Sequence, residues 1–443
     1  MRGENFYRNF FRLMNEHFVD IKFLAVISNV ESALTRFANS RIHQNVFERK
    51  NNVSVLATKD NKVAIATSND LTTSGLRSIK EKLQGMLESS TPLDYQFKLP
   101  EPTIGYPLDN VTEDAKNFSP EMRASIFDKI LHACGEDIQA FGYVSDNVTE
   151  NSVISSNGMF IYHAYSSFSF NFVAVKDSAS GYVSSSAKNI ADLDVEKKAQ
   201  RAVEFAKMSG ESIEIEPGLY TVILGPEAVA DLFFYFSYVC TNGYMHELKM
   251  SPSTRFLGQK IGPDDLNVYD DPFHPVQIPF AYDLCGKKRE KTPVIENGIF
   301  KNVFYSHGAA LRFGKNPTGH TISLEDMDFA MPVNLVVEGG NSSLEDMIAQ
   351  TKEGIYINRF HYMNVVDPYE AMFTGMTRDG TFLIENGQLT RAVKNMRFNV
   401  KFFEFTQNIE AISKQIESTS GEYFPAVAPF MKVRNFNFTS KTA

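Results

Sequence analysis

The sequence predicts an α+β fold in two domains, and three observations lead to this prediction. Helical spacing of apolar residues recurs in the first half of the chain. Runs of β-branched and aromatic residues with turn signals dominate the second half. The chain has 443 residues, of which 43% are hydrophobic, which is enough for two or three packed cores. We expect an N-terminal α+β domain at 1–212, with helices on β meanders, and a β-rich C-terminal domain at 213–443 around a buried central helix.

The first half begins with an amphipathic helix over residues 4–18 and continues as a meander of short strands, at 20–28, 31–38 and within 46–67. A second helix is predicted from Thr73 to Leu87, and four prolines between 90 and 107 indicate a subdomain joint. Ser119 and Pro120 then begin a helix that runs to about His132. About five short strands between 139 and 186 and a helix at 195–209 complete the domain, whose two halves have a similar order of elements.

The second half has a strand at 219–224, an apolar helix at 226–240 and then mostly strands. The tetrapeptide IENG occurs twice, at 295–298 and 384–387, between runs of strand-forming residues. Asn-Gly tolerates the positive φ angles of a two-residue type I′ turn, so both copies predict tight β-hairpins. Ser343 caps a further helix, and a last helix is predicted over about 401–417.

Composition limits the classes of function. The formal net charge is −9 with both signs well mixed, so direct binding of nucleic acid is not expected. The three cysteines are far apart and form no C-x-x-C, which indicates neither a disulfide framework nor a cysteine zinc site. No signal peptide is predicted, because the first ten residues mix charged and aromatic residues and lack an apolar core. No membrane span is predicted, because the most apolar stretch, 228–240, is too short and carries Asp231. We expect a cytoplasmic protein.

Several segments of the second half together resemble the TldD/TldE (PmbA) family, whose members have been named modulators of DNA gyrase. They are FLGQKIG at 256–262, the run from Gly286 to Ser306 that contains the first IENG, PTGH at 317–320, GIYIN at 354–358, GTFLIENGQLTRAV at 380–393 and KVRNFNF at 432–438. The resemblance covers about 220–440 well and the N-terminal domain loosely. It implies a two-domain α+β protein of a metallopeptidase family that acts on short or unstructured peptides.

The resemblance also implies where a metal would bind. In this family the TldD-type subunit carries zinc on a His-Glu-x-x-x-His helix plus a cysteine near the C-terminus, and the TldE-type subunit has the same fold without those ligands. The ligand helix follows a strand that ends near Gly-Pro, which here is VILGP at 222–226. The two histidine positions then fall on Phe234 and Val239, and the glutamate position falls on Tyr235. Residues 417–429 contain no cysteine.

These substitutions predict no catalytic, metal or cofactor residues in this chain, and they imply a TldE-like subunit that assists proteolysis beside a zinc-bearing TldD-like partner, or forms a homodimer. Tyr235 could line a peptide groove, although a buried core aromatic is the simpler interpretation. Two alternatives stay open. One is a stand-alone, homodimeric peptide- or protein-binding module without catalysis, and the other is an active peptidase that uses His246 and Glu247.

Other candidate sites have simpler structural interpretations. Ser251 stands where a second histidine after His246 and Glu247 would be, so a pair at a helix end is the better interpretation. His274 and the acidic residues of its loop lack calcium-loop spacing and predict a solvated loop; those residues are Asp264, Asp265, Asp270 and Asp271. His307 and His320 are expected to be structural. The Gly339, Gly340 and Asn341 run before a capped helix is expected to end a strand and not to bind an anion.

Overall fold

The computed structural model describes residues 1–103, 105, 108–117, 119–421 and 423–441, and it has the predicted α+β architecture. The helices are α1 (Glu4–His17), α2 (Thr73–Ser89), α3 (Glu113–Lys116), α4 (Pro120–Cys134), α5 (Val195–Met208), α6 (Pro226–Cys240), α7 (Gly243–Glu247), α8 (Ser253–Phe256), α9 (His307–Phe313), α10 (Leu344–Ala349) and α11 (Phe402–Gln407). Within the described residues, no helix is both long and apolar enough to cross a bilayer.

The strands divide between two sheets. The first sheet contains β1 (Lys22–Ala38), β2 (Arg41–Lys59), β3 (Lys62–Ser68), β4 (Leu108–Asn110), β5 (Gln139–Ser155), β6 (Phe160–Lys176) and β7 (Ala179–Ala187). The second contains β8 (Ser212–Ile213), β9 (Gly218–Leu224), β10 (Val268–Asp270), β11 (Thr292–Glu296), β12 (Ile299–Phe300), β13 (Leu335–Val337), β14 (Glu353–Asp367), β15 (Met372–Glu385), β16 (Gln388–Val393), β17 (Met396–Lys401), β18 (Ile409–Thr419) and β19 (Ala426–Lys441).

The first sheet is built from two units with the same element order. The order of α1, β1, β2, β3 and α2 recurs in α4, β5, β6, β7 and α5, and β1 pairs antiparallel with β5 to join the units. Each helix pair covers its own apolar cluster on the sheet. The similar halves that the sequence indicated are therefore present as two helix–meander–helix units.

The strands of this sheet are longer than predicted. Residues 20–28 and 31–38 form the single strand β1, and the five short strands expected between 139 and 186 are three long ones. Polar residues that suggested breaks lie inside the strands and are buried with partners there. Asn29, for example, is 1% exposed and donates to Glu150 Oε2 at 3.0 Å. Buried polar pairs of this kind give no signal in a hydrophobicity pattern.

The second sheet curls into a small barrel around α6. β9 pairs with β14, β14 with β15, β15 with β17, β17 with β19, and β19 again with β9. One apolar cluster includes residues of α6 and of all five strands. The predicted buried central helix of the C-terminal half is thus confirmed.

Both IENG segments are the predicted type I′ hairpins. The φ angles are 50° at Asn297 and 68° at Gly298, and 51° at Asn386 and 79° at Gly387. A Cβ atom at Gly298 would lie 2.3 Å from the carbonyl oxygen of Gly262. The first hairpin therefore needs glycine for its backbone angle and for the close approach of a neighbouring loop.

The helix predicted over 401–417 is wrong beyond its first turns. α11 ends at Gln407, and the rest of the segment is β18, which pairs antiparallel with β19. Ile409, Ile412 and Ile416 are spaced three and four residues apart, as on a helix face, but Ile416 is exposed, and the segment pairs with β19 with two register shifts.

The predicted boundary between 212 and 213 falls inside β8, and the division into domains stays a prediction. In the proline-rich joint, Leu93, Tyr95, Phe97 and Leu99 pack against apolar residues of the first sheet, and Asn61 donates to the carbonyls of Leu93 and Tyr95. Tyr106 and Pro107, which end that joint, lie outside the described residues.

Candidate functional site

The candidate site surrounds α6, the helix that the family resemblance aligns with a zinc-binding helix. β9 leads into it through Gly225, and Pro226 occupies its first turn, where a missing N–H costs nothing. Glu227 is 7% exposed, and its Oε1 accepts from the backbone N–H of Ser184 at 2.9 Å and from its hydroxyl at 2.7 Å. The start of α6 is thereby tied to β7 of the first sheet.

Phe234 forms the centre of an aromatic cluster at the surface. Its ring stacks on that of Tyr423 with centroids 4.9 Å apart and an interplanar angle of 16°. The ring of Phe424 lies 6.2 Å away, that of Tyr238 lies 6.5 Å away, and Tyr238 in turn contacts Phe329 at 5.7 Å. Tyr238, Tyr423 and Phe424 are 48%, 59% and 37% exposed. We call these five residues the aromatic cluster.

Tyr235 points into the core, and its ring meets that of Phe234 edge to face at 5.6 Å. It is 6% exposed, its ring packs 5.7 Å from that of Phe373, and its hydroxyl donates to the carbonyl oxygen of Met363 at 2.6 Å. The structure therefore places this residue inside the barrel, and the exposed aromatic surface is formed by its neighbour Phe234 and the 423–424 loop.

Val239 is half-buried and packs against the same core, and its carbonyl oxygen accepts from Ser251 Oγ at 3.1 Å. Zinc in proteins is bound by cysteine sulfur, histidine nitrogen or carboxylate oxygen. The phenyl ring of Phe234, the engaged phenol of Tyr235 and the isopropyl group of Val239 offer none of these donors. The residues at the three aligned positions do not fit a zinc ion.

The C-terminal segment that faces Phe234 offers no thiol there. Tyr423 and Phe424 stack against the helix, and Glu422 lies outside the described residues. Cys134, Cys240 and Cys285 are buried elsewhere with free thiols. Among the residues that the structure describes, no three His, Cys, Asp or Glu side chains lie where they could hold a metal ion together.

A buried group of charges between the two sheets gave no signal in the sequence. Arg201 on α5 makes two 2.7 Å hydrogen bonds to the carboxylate of Glu417 on β18. Lys198, 4% exposed, donates to the carbonyl oxygens of Ser184, at 2.7 Å, and of Ser418. We call Lys198, Arg201 and Glu417 the inter-sheet charge cluster, because it joins elements that pack on the two sheets. Such pairs are far apart in sequence and can be recognised only in the folded chain.

The environment of this charge cluster lowers two pKa values, for different physical reasons. Burial lowers the pKa of Lys198 to about 8, in spite of the nearby carboxylates. Burial alone would raise the pKa of Glu417, but hydrogen bonds and charge from Arg201, together with the charge of Lys198, lower it to about 2.

The N–H of Ser420 donates to Ser184 Oγ at 2.8 Å, so the start of the loop that carries Tyr423 and Phe424 is fixed to the first sheet.

His246 and Glu247 lie at the end of the short helix α7 and are half-buried. His246 Nδ1 is 3.0 Å from Ser253 Oγ, and burial lowers the pKa of this histidine. Glu247 accepts from the hydroxyl of Tyr305 at 2.6 Å and pairs with Lys315 at 3.0 Å, and these contacts lower the pKa of its carboxyl group. A carboxylate with a lowered pKa is a weaker base, so the pair matches the predicted helix-end role better than a catalytic one.

The prediction of a solvated acidic loop is wrong for Asp270 and Asp271, which are buried. Asp270 is 2.5 Å from Arg289 Nη2 and 3.2 Å from His320 Nε2, and it also accepts from two backbone N–H groups. These contacts lower the pKa of Asp270 despite its burial. Asp264, by contrast, is exposed and pairs with Lys260.

The remaining candidates have structural contacts. His320 stacks on Phe304 with centroids 3.9 Å apart, and His307 Nε2 is 2.7 Å from the carbonyl oxygen of Lys98. A Cβ atom at Gly339 would lie 2.6 Å from the carbonyl oxygen of Lys414, so this glycine permits close packing on β18. α10, which Ser343 caps as predicted, has only six residues.

Comparison with known sequences identifies the family. The profile of the PmbA/TldA metallopeptidase C-terminal domain matches residues 217–440, and that of the central domain of the same family matches residues 106–209. The chain belongs to the PmbA/TldD family. The resemblance read from the sequence motifs is thus confirmed.

Solved structures of this family share the fold over nearly the whole chain. TldE from Thermococcus kodakarensis superposes with a TM-score of 0.87 at 21% identity, covering 98% of this chain and 99% of that one. A Thermotoga maritima protein that carries the name modulator of a DNA gyrase superposes with a TM-score of 0.82 at 19% identity, covering 98% and 100%. At these identities the likeness concerns the fold alone.

Relatives in the PmbA/TldD family also include proteins named as proteases. A metalloprotease of Methanocaldococcus jannaschii is 25% identical over 345 residues, which are 76% of this chain and 71% of that protein. A zinc metalloprotease TldD homolog of Saccharolobus solfataricus is 26% identical over 221 residues, 46% of each chain. The family fold is therefore found in proteins named as metalloproteases.

Proposed function

We propose that this chain is a TldE-like subunit without a zinc site of its own, which assists the proteolysis of short or unstructured peptides by a zinc-bearing TldD-like partner. The observation that carries the proposal is the chemistry of Phe234, Tyr235 and Val239. Their side chains are a stacked ring, a core phenol and a packed aliphatic group, and all three are integrated into the fold.

The exposed aromatic cluster supports a role in holding substrate. An exposed patch of stacked rings is the kind of surface that proteins keep for binding, because isolated apolar residues are common on surfaces but contiguous ones are not. In this proposal the aromatic cluster faces the path of the peptide, in a cytoplasmic dimer with the catalytic subunit. A homodimer that binds peptides without cleaving them is the second candidate, and the same exposed cluster favours it.

Co-expression with a TldD-like subunit that has an intact His-Glu-x-x-x-His helix tests the proposal. We expect a stable heterodimer that contains zinc and cleaves an unstructured peptide such as casein fragments, whereas this chain alone is inactive. Two independent species would contradict the partner role and favour the homodimer. Intrinsic peptidase activity of this chain that His246→Ala abolishes would contradict both candidates.

A further inference from the structure

A cavity of about 230 Å³ opens beside the aromatic cluster, between the first sheet and the C-terminal half. Phe424, one member of the cluster, forms part of its wall, together with Pro425. The opposite wall is formed by Phe280 and Tyr165, whose rings meet edge to face with centroids 6.4 Å apart. The cavity and the exposed rings therefore form one continuous surface.

The lining of this cavity contains no charged side chain among the described residues. The lining residues are Tyr165, Gln277, Ile278, Phe280, Leu284, Ile322, Val333, Asn334, Phe424 and Pro425. A charged ligand group would lose its hydration there without gaining a counter-ion, which is costly. An uncharged apolar group would gain dispersion contacts with the apolar wall. The chemistry of the wall thus selects for neutral, apolar groups.

The wall of the cavity that contains Phe280 is held in place by buried hydrogen bonds. Arg289, 1% exposed, donates to the carbonyl oxygen of Phe280 at 3.1 Å and to Asn334 Oδ1 at 2.8 Å. Asn334 Nδ2 donates to the carbonyl oxygen of Ile278 at 2.8 Å, and Gln277 Nε2 donates to that of Leu335 at 3.0 Å. The wall is therefore preformed, so a ligand does not bear the entropic cost of ordering it.

The volume decides how much of a ligand can enter. Pockets that enclose whole drug-sized ligands have volumes of about 300–1,000 Å³. At about 230 Å³ this cavity is smaller, and it suits one side chain of a larger molecule whose remainder lies outside. The exposed rings of Tyr423 and Tyr238 lie outside, next to Phe424, where a peptide chain could rest against them.

We infer that this cavity, which we call the Phe424 pocket, binds one aromatic or branched aliphatic side chain of a peptide that lies along the aromatic cluster. The inference rests on the proposed function, since it names the class of peptide that this subunit selects. Peptides with an apolar residue at the bound position are preferred, and those with Lys, Arg, Asp or Glu there are rejected.

The test measures peptide binding by the full chain alone, so it needs no catalytic partner. The probe is acetyl-Ala-Phe-Ala-amide and the comparison peptide is acetyl-Ala-Lys-Ala-amide, both titrated with detection by saturation-transfer NMR. We expect saturation of the phenyl protons of the first peptide and none of the lysine methylenes of the second. Equal binding of the two peptides, or binding of neither, would overturn the inference.

Two variants locate the binding. Phe424→Ala removes a partly exposed ring, and we expect it to weaken binding of the phenylalanine peptide by about ten-fold. Ile322→Glu places a charge on the half-buried wall, and we expect it to abolish binding. Phe47→Ala is the matched control, since Phe47 is a 64% exposed ring on β2 of the first sheet. Thermal unfolding shows whether each variant folds. If Ile322→Glu does not fold, the result for Phe424→Ala alone decides between the two outcomes.

Two further outcomes separate the alternatives. Unchanged binding by Phe424→Ala would place the peptide elsewhere and contradict the inference. A change in sedimentation of Phe424→Ala without a change in peptide affinity would show that a second copy of the chain occupies the pocket, which also contradicts it. If co-expression yields no heterodimer while the Phe424 pocket binds the peptide, the proposed partner role is contradicted and the inference about the pocket is supported.

Discussion

The ring of Phe234 lies 4.9 Å from the ring of Tyr423 and is tilted from it by only 16°. Phe234 stands at the position that the family resemblance assigns to the first zinc-binding histidine, and Tyr423 lies in the segment where the resemblance places the cysteine. The two parts of the expected metal site are therefore close together in this chain, and they are joined by ring stacking.

A double-mutant cycle measures this stacking. We expect the effects of Phe234→Ala and Tyr423→Ala on the free energy of unfolding to be non-additive by about 1 kcal/mol, because each variant removes the partner of the other ring. Urea unfolding followed by circular dichroism provides the four free energies. Additive effects would show that the rings are adjacent without interacting.

Tyr235→Phe tests the position of Tyr235 in the core. The variant leaves the carbonyl oxygen of Met363 without its 2.6 Å hydrogen bond, so we expect a loss of about 1–2 kcal/mol in the free energy of unfolding. Tyr238→Phe is the control, since Tyr238 is 48% exposed and its loss is expected to be small. Equal, small effects would contradict a buried hydroxyl at 235.

Glu417→Gln removes the carboxylate of the inter-sheet charge cluster. Arg201 and Lys198 then lose the carboxylate that pairs with them, and we expect a loss of about 3–5 kcal/mol at pH 7. Glu410→Gln, an exposed position on the same strand, serves as control.

The pH dependence of this loss has a definite sign. The folded protein holds the pKa of Glu417 at about 2, below its ordinary value of 4.5, so the stabilisation is complete above pH 4.5 and is lost as the pH falls toward 2. Chemical unfolding of both proteins across this range should show that the difference in free energy of unfolding between wild type and Glu417→Gln decreases as the pH falls. A difference that stays constant would contradict the lowered pKa.

Lys198→Met tests the other shifted group. In the wild type, burial lowers the pKa of Lys198 from 10.5 to about 8, so between these values the unfolded chain binds the additional proton. The contribution of Lys198 to the free energy of unfolding therefore rises as the pH increases from 8 to 10.5. We expect Lys198→Met to lack that rise, whereas Lys207→Met, at an exposed position of the same helix, keeps it. Parallel pH profiles of wild type and Lys198→Met would contradict the shift.

The sequence allowed much of the architecture to be predicted, and the failures have physical causes. Local signals located α6, the Ser343 cap and both Asn-Gly hairpins, because turn and capping preferences act over a few residues. The segment that forms β18 was predicted as a helix, whereas its pairing with β19 determines its structure. Long-range pairing of that kind leaves no local pattern.

The candidate site was also predicted only in part from the sequence. Family motifs located Phe234, Tyr235 and Val239, but only the fold shows that Tyr235 points into the core while Phe234 meets Tyr423. The inter-sheet charge cluster joins Lys198 to Glu417 across more than two hundred residues. Asp270 likewise pairs with Arg289 and His320, which follow it at shorter distances in the sequence. Charges in an acidic loop look solvated until their partners are known.

The zinc content of the purified chain tests the central claim most directly, which is that the family fold is kept here without a metal site of its own. The chain is expressed alone, incubated with a two-fold excess of zinc, dialysed and analysed by mass spectrometry of the metal, beside a TldD-like protein with an intact His-Glu-x-x-x-His helix treated identically. We predict that zinc stays far below one ion per chain here and close to one in the comparison protein. Stoichiometric zinc in this chain would contradict the account.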